Sequence, residues 1–187
     1  MSRMIGILAL QGDFEKHGAA LKKAGAGVKE IRIPEQLKGC DGLVIPGGES
    51  TTLTILMKRY GFYEALKQFA VNYPIMGTCA GLIMLSSEVD DNRVEPLRLI
   101  NISTSRNAYG RQVDSFIAPI EFNGLKNKSF NAYFIRAPKV IKTGKEVNVL
   151  ANYKDSPIAV INDNILAVSF HPELGTDIRI HKYFIDL

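Results

Sequence analysis

The feature that most constrains this chain is a glycine-flanked cysteine in the segment Tyr73–Leu85. Pro74–Met76 is short and apolar, as at the end of a buried strand, and the apolar residues after the cysteine are typical of a helix. Gly77 and Gly81 would let the backbone turn sharply around Cys79. A strand, a tight turn that carries one nucleophile and then a helix form the pattern of a nucleophile elbow.

The cysteine in this turn has two interpretations. At the N-terminus of a helix, the thiol of Cys79 would face unpaired N–H groups and the positive end of the helix dipole, which favour the thiolate. A buried structural cysteine beside packing glycines has the same local sequence. Catalytic partners elsewhere in the chain are needed to decide between the two.

The first half of the chain alternates between predicted strands and helices. Met4–Leu10 is a nearly continuous apolar run, as in a strand buried on both faces, and Asp13 is a predicted N-cap of a helix that reaches about Ala24. The further predictions are strands at Val28–Ile33 and Gly42–Ile45 and a mostly helical stretch at Leu53–Asn72, broken near Gly61. This alternation predicts an α/β fold, a doubly wound and mostly parallel sheet flanked by helices.

The second half of the chain reads as short strands. Ser87–Pro96 is polar and predicted to be a loop. The predicted strands that follow are Ser115–Phe122, Asn131–Arg136, Val147–Asn152, Ile158–Ile161 and Ile165–Phe170. They predict a small antiparallel extension together with the last strands of the main sheet. Without a visible linker or internal repeat, we expect residues 1–187 to form a single domain.

Composition narrows the function classes. The 187 residues are 46% hydrophobic and carry a net charge of +4, which is too mild to indicate a nucleic-acid partner. Cys40 and Cys79 are the two cysteines, so no disulfide framework or metal-ligand spacing is present, and Cys40 is predicted to be a small core residue. His17 and His181 are predicted to lie on the surface of the first and last helices. No stretch has membrane-spanning length, and we expect a cytoplasmic protein.

The loop Pro46–Thr52 follows the predicted strand Gly42–Ile45. Gly47 and Gly48 would free backbone N–H groups to face an anion, and Ser50 or Thr51 could cap the next helix. A plain strand-to-helix turn would look the same. In an open α/β sheet, however, loops at the carboxyl ends of strands line the ligand crevice, so this loop should neighbour Cys79 and could form an oxyanion hole.

The motif His171-Pro-Glu173 directly follows the last predicted strand. Pro172 pushes His171 toward an extended conformation, in which residues two apart point to the same side. A carboxylate beside an imidazole fixes its tautomer and stabilises the imidazolium. A lone histidine at a strand end is the alternative, but Cys79, His171 and Glu173 together have the composition of a thiol-based acyl-transfer triad.

Three motifs together carry a family resemblance: Gly77-Thr-Cys-Ala-Gly81, Pro46-Gly-Gly-Glu-Ser-Thr51 and His171-Pro-Glu173. They resemble the triad-type (class I) glutamine amidotransferases. The chain is more narrowly similar to the glutaminase subunits of pyridoxal 5′-phosphate synthase, over nearly its whole length. That likeness is carried by Leu8–Gly12, Arg106-Asn107, Gly110–Phe116 and Phe134–Pro138, and by Ile83, where many relatives in other pathways have Gln or His.

The resemblance implies hydrolysis of L-glutamine to glutamate and ammonia. Cys79 would attack the carboxamide, His171 would act as acid and base, and Glu173 would orient His171. The implied oxyanion donors are at Gly47, Gly48 and Ala80. The implied glutamine-binding residues are Gly48, Glu49, Ser50, Arg106, Ile135 and Arg136. No cofactor or metal is implied on this subunit.

The resemblance also implies a partner, a (β/α)₈-barrel synthase subunit that receives the ammonia within a large hetero-oligomer. The first helix, with Glu15 and His17, is one candidate docking surface and could equally be plain solvent-facing helix.

Two other functions stay open at this point. One is a glutaminase of another pathway, such as imidazole glycerol phosphate synthesis, and the other is a non-enzymatic α/β protein with a reactive cysteine. Arg106, Arg111 and Arg136 matter only if one of them reaches the pocket.

Overall fold

The structure, a computed structural model, describes residues 2–106 and 115–187. Within them the strands are β1 (Met4–Leu8), β2 (Gly27–Ile31), β3 (Gly42–Ile45), β4 (Ile75–Thr78), β5 (Ser86–Val89), β6 (Ile100–Ser105), β7 (Phe116–Glu121), β8 (Ser129–Phe134), β9 (Lys139–Thr143), β10 (Asn148–Tyr153), β11 (Ser156–Asn162) and β12 (Ile165–Val168). The helices are α1 (Phe14–Lys23), α2 (Ser50–Arg59), α3 (Phe62–Ala70), α4 (Ala80–Leu85) and α5 (Arg179–Ile185), with short 3₁₀ helices at Pro34–Leu37 and Pro172–Leu174. Asn107, Arg111 and the Gly110–Asp114 part of the resemblance lie outside the described residues.

The centre of the fold is a seven-stranded sheet in the order β10-β11-β12-β4-β3-β1-β2. The five strands from β12 to β2 are parallel to one another. At one edge, β11 pairs antiparallel with β12, and β10 pairs antiparallel with β11. Every residue of β3, β4 and β12 is buried, as expected for central parallel strands covered on both faces. The predicted fold class, a mostly parallel α/β sheet flanked by helices, is confirmed.

Each face of the sheet carries its own hydrophobic core. On one face, alternate residues of β3 such as Leu43 pack with apolar side chains of α2, α3 and α4, among them Met57 and Phe62. On the other face, Val44 packs with apolar side chains of α1, α5 and the hairpin of β7 and β8. Phe184 of α5 is fully buried in this second core. The predicted core position of Cys40 is confirmed, since its side chain is 2% exposed in the first core.

A small three-stranded sheet, in the order β5-β6-β9, corrects one prediction. Ser87–Pro96 was expected to be a loop, but β5 covers Ser86–Val89 and pairs with β6. Its polar sequence is compatible with a strand because the Ser86 hydroxyl donates to the Ile83 carbonyl and also lies within hydrogen-bonding distance of the Glu88 carbonyl and the Thr104 hydroxyl. No helix within the described residues is long and apolar enough to cross a membrane.

Candidate active site

Three neighbouring strands deliver the candidate residues to one edge of the sheet. β4 lies between β3 and β12, and all three are parallel, so their carboxyl ends meet. Cys79 directly follows β4, the Gly47–Gly48 loop follows β3, and His171 lies three residues beyond β12. The expected proximity of these motifs is therefore confirmed by the topology.

The strand–turn–helix geometry predicted around Cys79 is present. Cys79 has φ 51° and ψ −105°, and α4 begins at the next residue. A non-glycine residue with positive φ is strained, and here the Cys79 N–H is fixed by donating to the Val168 carbonyl of β12 over 2.9 Å. Gly81 permits the close packing of α4 on β3, because a Cβ atom there would lie 2.1 Å from the Ile45 oxygen.

His171 and Glu173 form a buried pair. His171 Nδ1 lies 2.7 Å from Glu173 Oε1, and the two residues are 7% and 6% exposed. Burial alone would lower the pKa of the His171 imidazole, but its interactions with Cys79 and Glu173 raise that pKa to about 10. Burial alone would raise the pKa of the Glu173 carboxyl, but the adjacent His17 and His171 rings hold it below its usual value. The site therefore favours an imidazolium paired with a carboxylate.

The backbone at this pair differs from the prediction. His171 was expected to lie in an extended chain that continues to Glu173, but Pro172 opens the 3₁₀ helix Pro172–Leu174. Proline suits the first position of a helix, where its missing N–H has no partner to lose. The carboxylate thus reaches the imidazole across a helical turn, and the His171 N–H is anchored by donating to the Tyr133 carbonyl of the β7–β8 hairpin over 2.8 Å.

The Gly47–Gly48 loop lies directly against Cys79 and His171. A Cβ atom at Gly47 would be 2.7 Å from His171 Cε1 and 3.3 Å from Cys79 Cβ, so a side chain there would displace the imidazole. The loop is tied to the β1–α1 connection, because the Glu49 N–H donates to Gln11 Oε1 over 3.0 Å. Part of the Leu8–Gly12 motif thus supports this loop.

The cap of α2 also differs from the prediction. Ser50 or Thr51 was expected to cap this helix, but Glu49 is the N-cap, and its Oε2 accepts from the Thr52 N–H over 2.7 Å. Partial burial would raise the pKa of Glu49, but hydrogen bonds from Thr51 and Thr52 lower it to about 2. Glu49 is therefore an anion at the rim of the site at any physiological pH.

Most of the predicted site residues, though not Gly47 or Glu173, line one cavity of about 320 Å³. It is lined by Gly48, Glu49, Ser50, Cys79, Ala80, Ile83, Arg106, Ile135, Arg136 and His171. All six predicted glutamine-binding residues are among them, together with Cys79 and His171. Glu173 lies behind His171, away from the lining. The Cys79 thiol is 3.9 Å from the Ile135 carbonyl oxygen, at the junction of the main sheet and the β7–β8 hairpin.

The two arginines that line the cavity, Arg106 and Arg136, differ in burial and in their contacts. The Arg106 guanidinium is mostly buried, with 16% of the side chain exposed, and donates to the carboxylates of Glu49 and Asp91. It therefore fixes Glu49 at the cavity rim. Arg136 is exposed and has φ 42°, so its backbone is strained next to the site. Arg111 lies outside the described residues.

Two histidines that were predicted to lie on the surface are buried behind this site. His17 and His181 are both 0% exposed, and His17 Nδ1 lies 2.9 Å from His181 Nε2. His17 Nε2 lies 3.1 Å from Thr78 Oγ1 and 3.3 Å from Glu173 Oε2. The surface prediction was wrong, and His17 is not available for a docking surface on α1.

Helical periodicity could have located these histidines. Leu21 lies four residues after His17 and Phe184 lies three residues after His181, so each histidine shares a face with a large apolar side chain that is fully buried. The prediction instead followed the average exposure of histidine, which is an intermediate residue in this respect. The contact between the two rings has no signal in the sequence, because α1 and α5 are far apart along the chain.

Comparisons with known proteins give a consistent result. The model of the SNO glutamine amidotransferase family matches residues 7–187. Pyridoxal 5′-phosphate synthase subunit PdxT of Thermosipho africanus is 53% identical over 184 residues, covering 98% of this chain and 97% of that protein. The subunit of the same name from Fervidobacterium nodosum is 49% identical over 185 residues, covering 98% and 96%. A crystal structure of a glutamine amidotransferase superimposes with a TM-score of 0.90 at 44% identity, covering 97% of each chain.

The mostly parallel sheet and this structural likeness define the class as that of the class I glutamine amidotransferases. Within that class, the chain belongs to the SNO glutamine amidotransferase family, whose model matches nearly its full length.

Proposed function

We propose that this chain hydrolyses L-glutamine to L-glutamate and ammonia and supplies the ammonia to a synthase subunit that makes pyridoxal 5′-phosphate. The observation that carries the proposal is the shared cavity of Cys79 and His171, with Glu173 bound to the far nitrogen of the imidazole at 2.7 Å. A nucleophile, a base and an orienting carboxylate in this order are the elements of a catalytic triad.

The proposed reaction has two halves. The Cys79 thiolate attacks the side-chain carboxamide carbon of glutamine, and His171 gives a proton to the departing ammonia. Water, deprotonated by the same imidazole, then attacks the thioester and releases glutamate. The N–H groups of Ala80 and of the Gly47–Gly48 loop stabilise each oxyanion, a contribution of about 3–4 kcal/mol for one donor in other enzymes.

The cavity lining suggests how glutamine is held. Glu49 offers a negative charge to the α-ammonium group, and Arg106 keeps that carboxylate at the rim. Arg136 brings a positive charge that suits the α-carboxylate. Gly48, Ser50 and Ile135 complete the proposed binding set along the walls.

The proposed partner and location follow from the relatives. Both relatives described above are named as subunits of pyridoxal 5′-phosphate synthase. The proposed partner of this chain is a (β/α)₈-barrel synthase subunit in a large hetero-oligomer, with no cofactor on the glutaminase itself. A cytoplasmic location is part of the proposal and is supported by the free thiols of Cys40 and Cys79, which suit a reducing compartment.

The first test is glutamate release from glutamine by the purified chain alone and after addition of the matching synthase subunit. We expect hydrolysis that the synthase strongly stimulates, because a loop containing Gly47 and Gly48 can be aligned by docking. Full activity without the synthase would support the glutaminase but contradict its activation by the synthase. The absence of hydrolysis in both mixtures would contradict the proposed function.

A further inference from the structure

We propose that His17 is a positioning residue for Glu173 and that His181 holds His17 in the tautomer this task requires. The inference rests on the proposed function, since Glu173 acts only through His171. Together the five side chains Cys79, His171, Glu173, His17 and His181 form a continuous array that begins in the cavity and ends in the core between α1 and α5.

The first step concerns the two oxygens of the Glu173 carboxylate. Oε1 is bound by His171, whereas Oε2 is buried and has no hydrogen bond of good geometry within residues 2–106 and 115–187. His17 Nε2 lies 3.3 Å from Oε2. A buried carboxylate is costly unless polar groups compensate it, so the direction in which His17 points its N–H matters.

The second step concerns the tautomer of His17. If Nε2 of His17 were the bare nitrogen, its lone pair would face the Glu173 carboxylate. His181 Nδ1, which has no partner among the described residues, would also have to carry a buried, unsatisfied N–H, since its Nε2 would accept from His17. In the other arrangement, the His181 Nε2–H donates to His17 Nδ1, and the His17 Nε2–H points toward Glu173 and Thr78. That arrangement leaves only an acceptor unpaired, so it is favoured.

The third step concerns charge. Burial lowers the pKa of His17. Glu173 and Asp13 act in the opposite direction and raise this pKa, whereas His171 lowers it further. Burial, reinforced by His17, lowers the pKa of His181 to about 3, although Glu173 opposes the shift. Both rings are therefore neutral at pH 7. A neutral His17 supports the carboxylate with an N–H group and leaves His171 as the cation that balances it.

The test is the pH dependence of Cys79 alkylation by iodoacetamide, which needs neither glutamine nor the synthase. His17→Leu removes the N–H that faces Glu173, so burial raises the pKa of that carboxyl and His171 becomes less basic. We expect the alkylation midpoint to move to higher pH by about one unit. We also expect kcat/KM for glutamine, measured with the synthase, to fall by about 10–100-fold. Losses of this size are typical when a residue that hydrogen-bonds to a metal ligand is replaced in a metal site.

The variants separate positioning from packing. His17→Gln keeps an N–H near the place of Nε2 and should retain the wild-type midpoint. Leu21→Val shortens a fully buried side chain on the same helix and should lower stability without moving the midpoint. An unchanged midpoint in His17→Leu, or an equal shift in Leu21→Val, would overturn the proposal. Alkylation of the Cys79→Ala protein gives the background from Cys40.

Two further comparisons cover a variant that does not fold and distinguish the positioning role from the proposed function. If His17→Leu does not fold, His181→Leu serves instead, since it frees His17 to change tautomer and should shift the midpoint in the same direction by less. No shift in that variant would overturn the proposal. A normal rate of glutamine hydrolysis with no midpoint shift would refute the positioning role alone. A midpoint shift in a protein that never hydrolyses glutamine would support the array and refute the proposed function.

Discussion

The two sides of the Glu173 carboxylate differ in how they are built. On the cavity side, Oε1 faces His171, and the residues come from loops at the carboxyl ends of β3, β4 and β12. On the core side, Oε2 faces His17, whose Nε2 also contacts Thr78, and the two buried histidines come from the inner faces of α1 and α5. The first side opens into the cavity, and the second is sealed from water.

The two sides of Glu173 therefore differ in the kind of sequence pattern that encodes them. The cavity side is carried by short motifs in which each residue type has a chemical purpose. The core side is carried by single polar residues at positions that otherwise belong to apolar helix faces. Variants on the two sides should therefore differ, with large losses of turnover on the cavity side and changes in pH dependence, accompanied by smaller losses of turnover, on the core side.

The largest expected effect on the cavity side is that of Cys79→Ala. Removing the proposed nucleophile should lower glutamine hydrolysis by about 10⁵-fold or more, to the background of the assay. The synthase mixed with this variant should still use free ammonia, because the proposal places the two activities on different subunits. Cys40→Ala, which removes a buried thiol elsewhere, is the matched control and should retain hydrolysis. Loss of the ammonia-dependent reaction in Cys79→Ala would contradict the division of labour.

Glu173→Gln should have the next largest effect, because it changes the carboxylate on which both sides meet. The amide keeps the shape but removes the charge, and its N–H group can favour the wrong tautomer of His171. We expect kcat to fall by about 10³–10⁴-fold and the pKa of His171 to drop from its raised value of about 10. Steady-state kinetics and a pH titration of the ring measure these changes. Glu121→Gln, at an exposed position, is the control, and a kcat within tenfold of wild type in Glu173→Gln would argue against a triad.

Gly47→Ala should have a smaller effect on the same side. The added Cβ would lie 2.7 Å from His171 Cε1, so the ring or the loop has to move. A displacement of this kind costs about 10²-fold in rate when the reacting groups lose alignment. Gly18→Ala, where the new Cβ meets only ordinary contacts of 3.5 and 3.7 Å, is the control for glycine replacement. Unchanged kcat/KM in Gly47→Ala would mean that the loop does not constrain the imidazole.

The proximity of the motifs on the cavity side could be predicted from the sequence for a physical reason. β3, β4 and β12 are largely apolar, so a parallel arrangement could be inferred, and the motifs after these strands were expected to meet at one edge. Contacts between elements that are far apart along the chain could not be predicted from the sequence. Most of β5 was expected to be loop because Ser87–Pro96 is polar, and its partner β6 begins only at Ile100.

The core side was misjudged for a related reason. His17 is one polar residue on a helix that also carries several charged residues, and it was therefore assigned to the surface. The contact that explains its burial is with His181, 164 residues away. The 3₁₀ helix at Pro172–Leu174 was also missed, although the pairing of His171 with Glu173 was expected.

The smallest expected effect tests the core side through stability. His181 is buried and neutral, with its pKa lowered to about 3, whereas in the unfolded chain it has an ordinary pKa near 6.5. Between these values the unfolded state binds the extra proton, so stability must fall as pH falls from about 6.5 toward 3. The slope from this one group is at most about 1.4 kcal/mol per pH unit.

His181→Gln removes that titration and keeps an N–H that can donate to His17. Urea unfolding of the wild type and the variant between pH 7 and pH 5 should therefore give curves that differ in slope, with the variant losing less stability on acidification. The remaining acid sensitivity of the variant reflects His17, whose pKa is also lowered by burial, and the carboxylates common to both proteins. Parallel curves would show that His181 takes up its proton as readily in the folded state as in the unfolded state. The core side of Glu173 would then be open to water, and the contrast between its two sides would be lost.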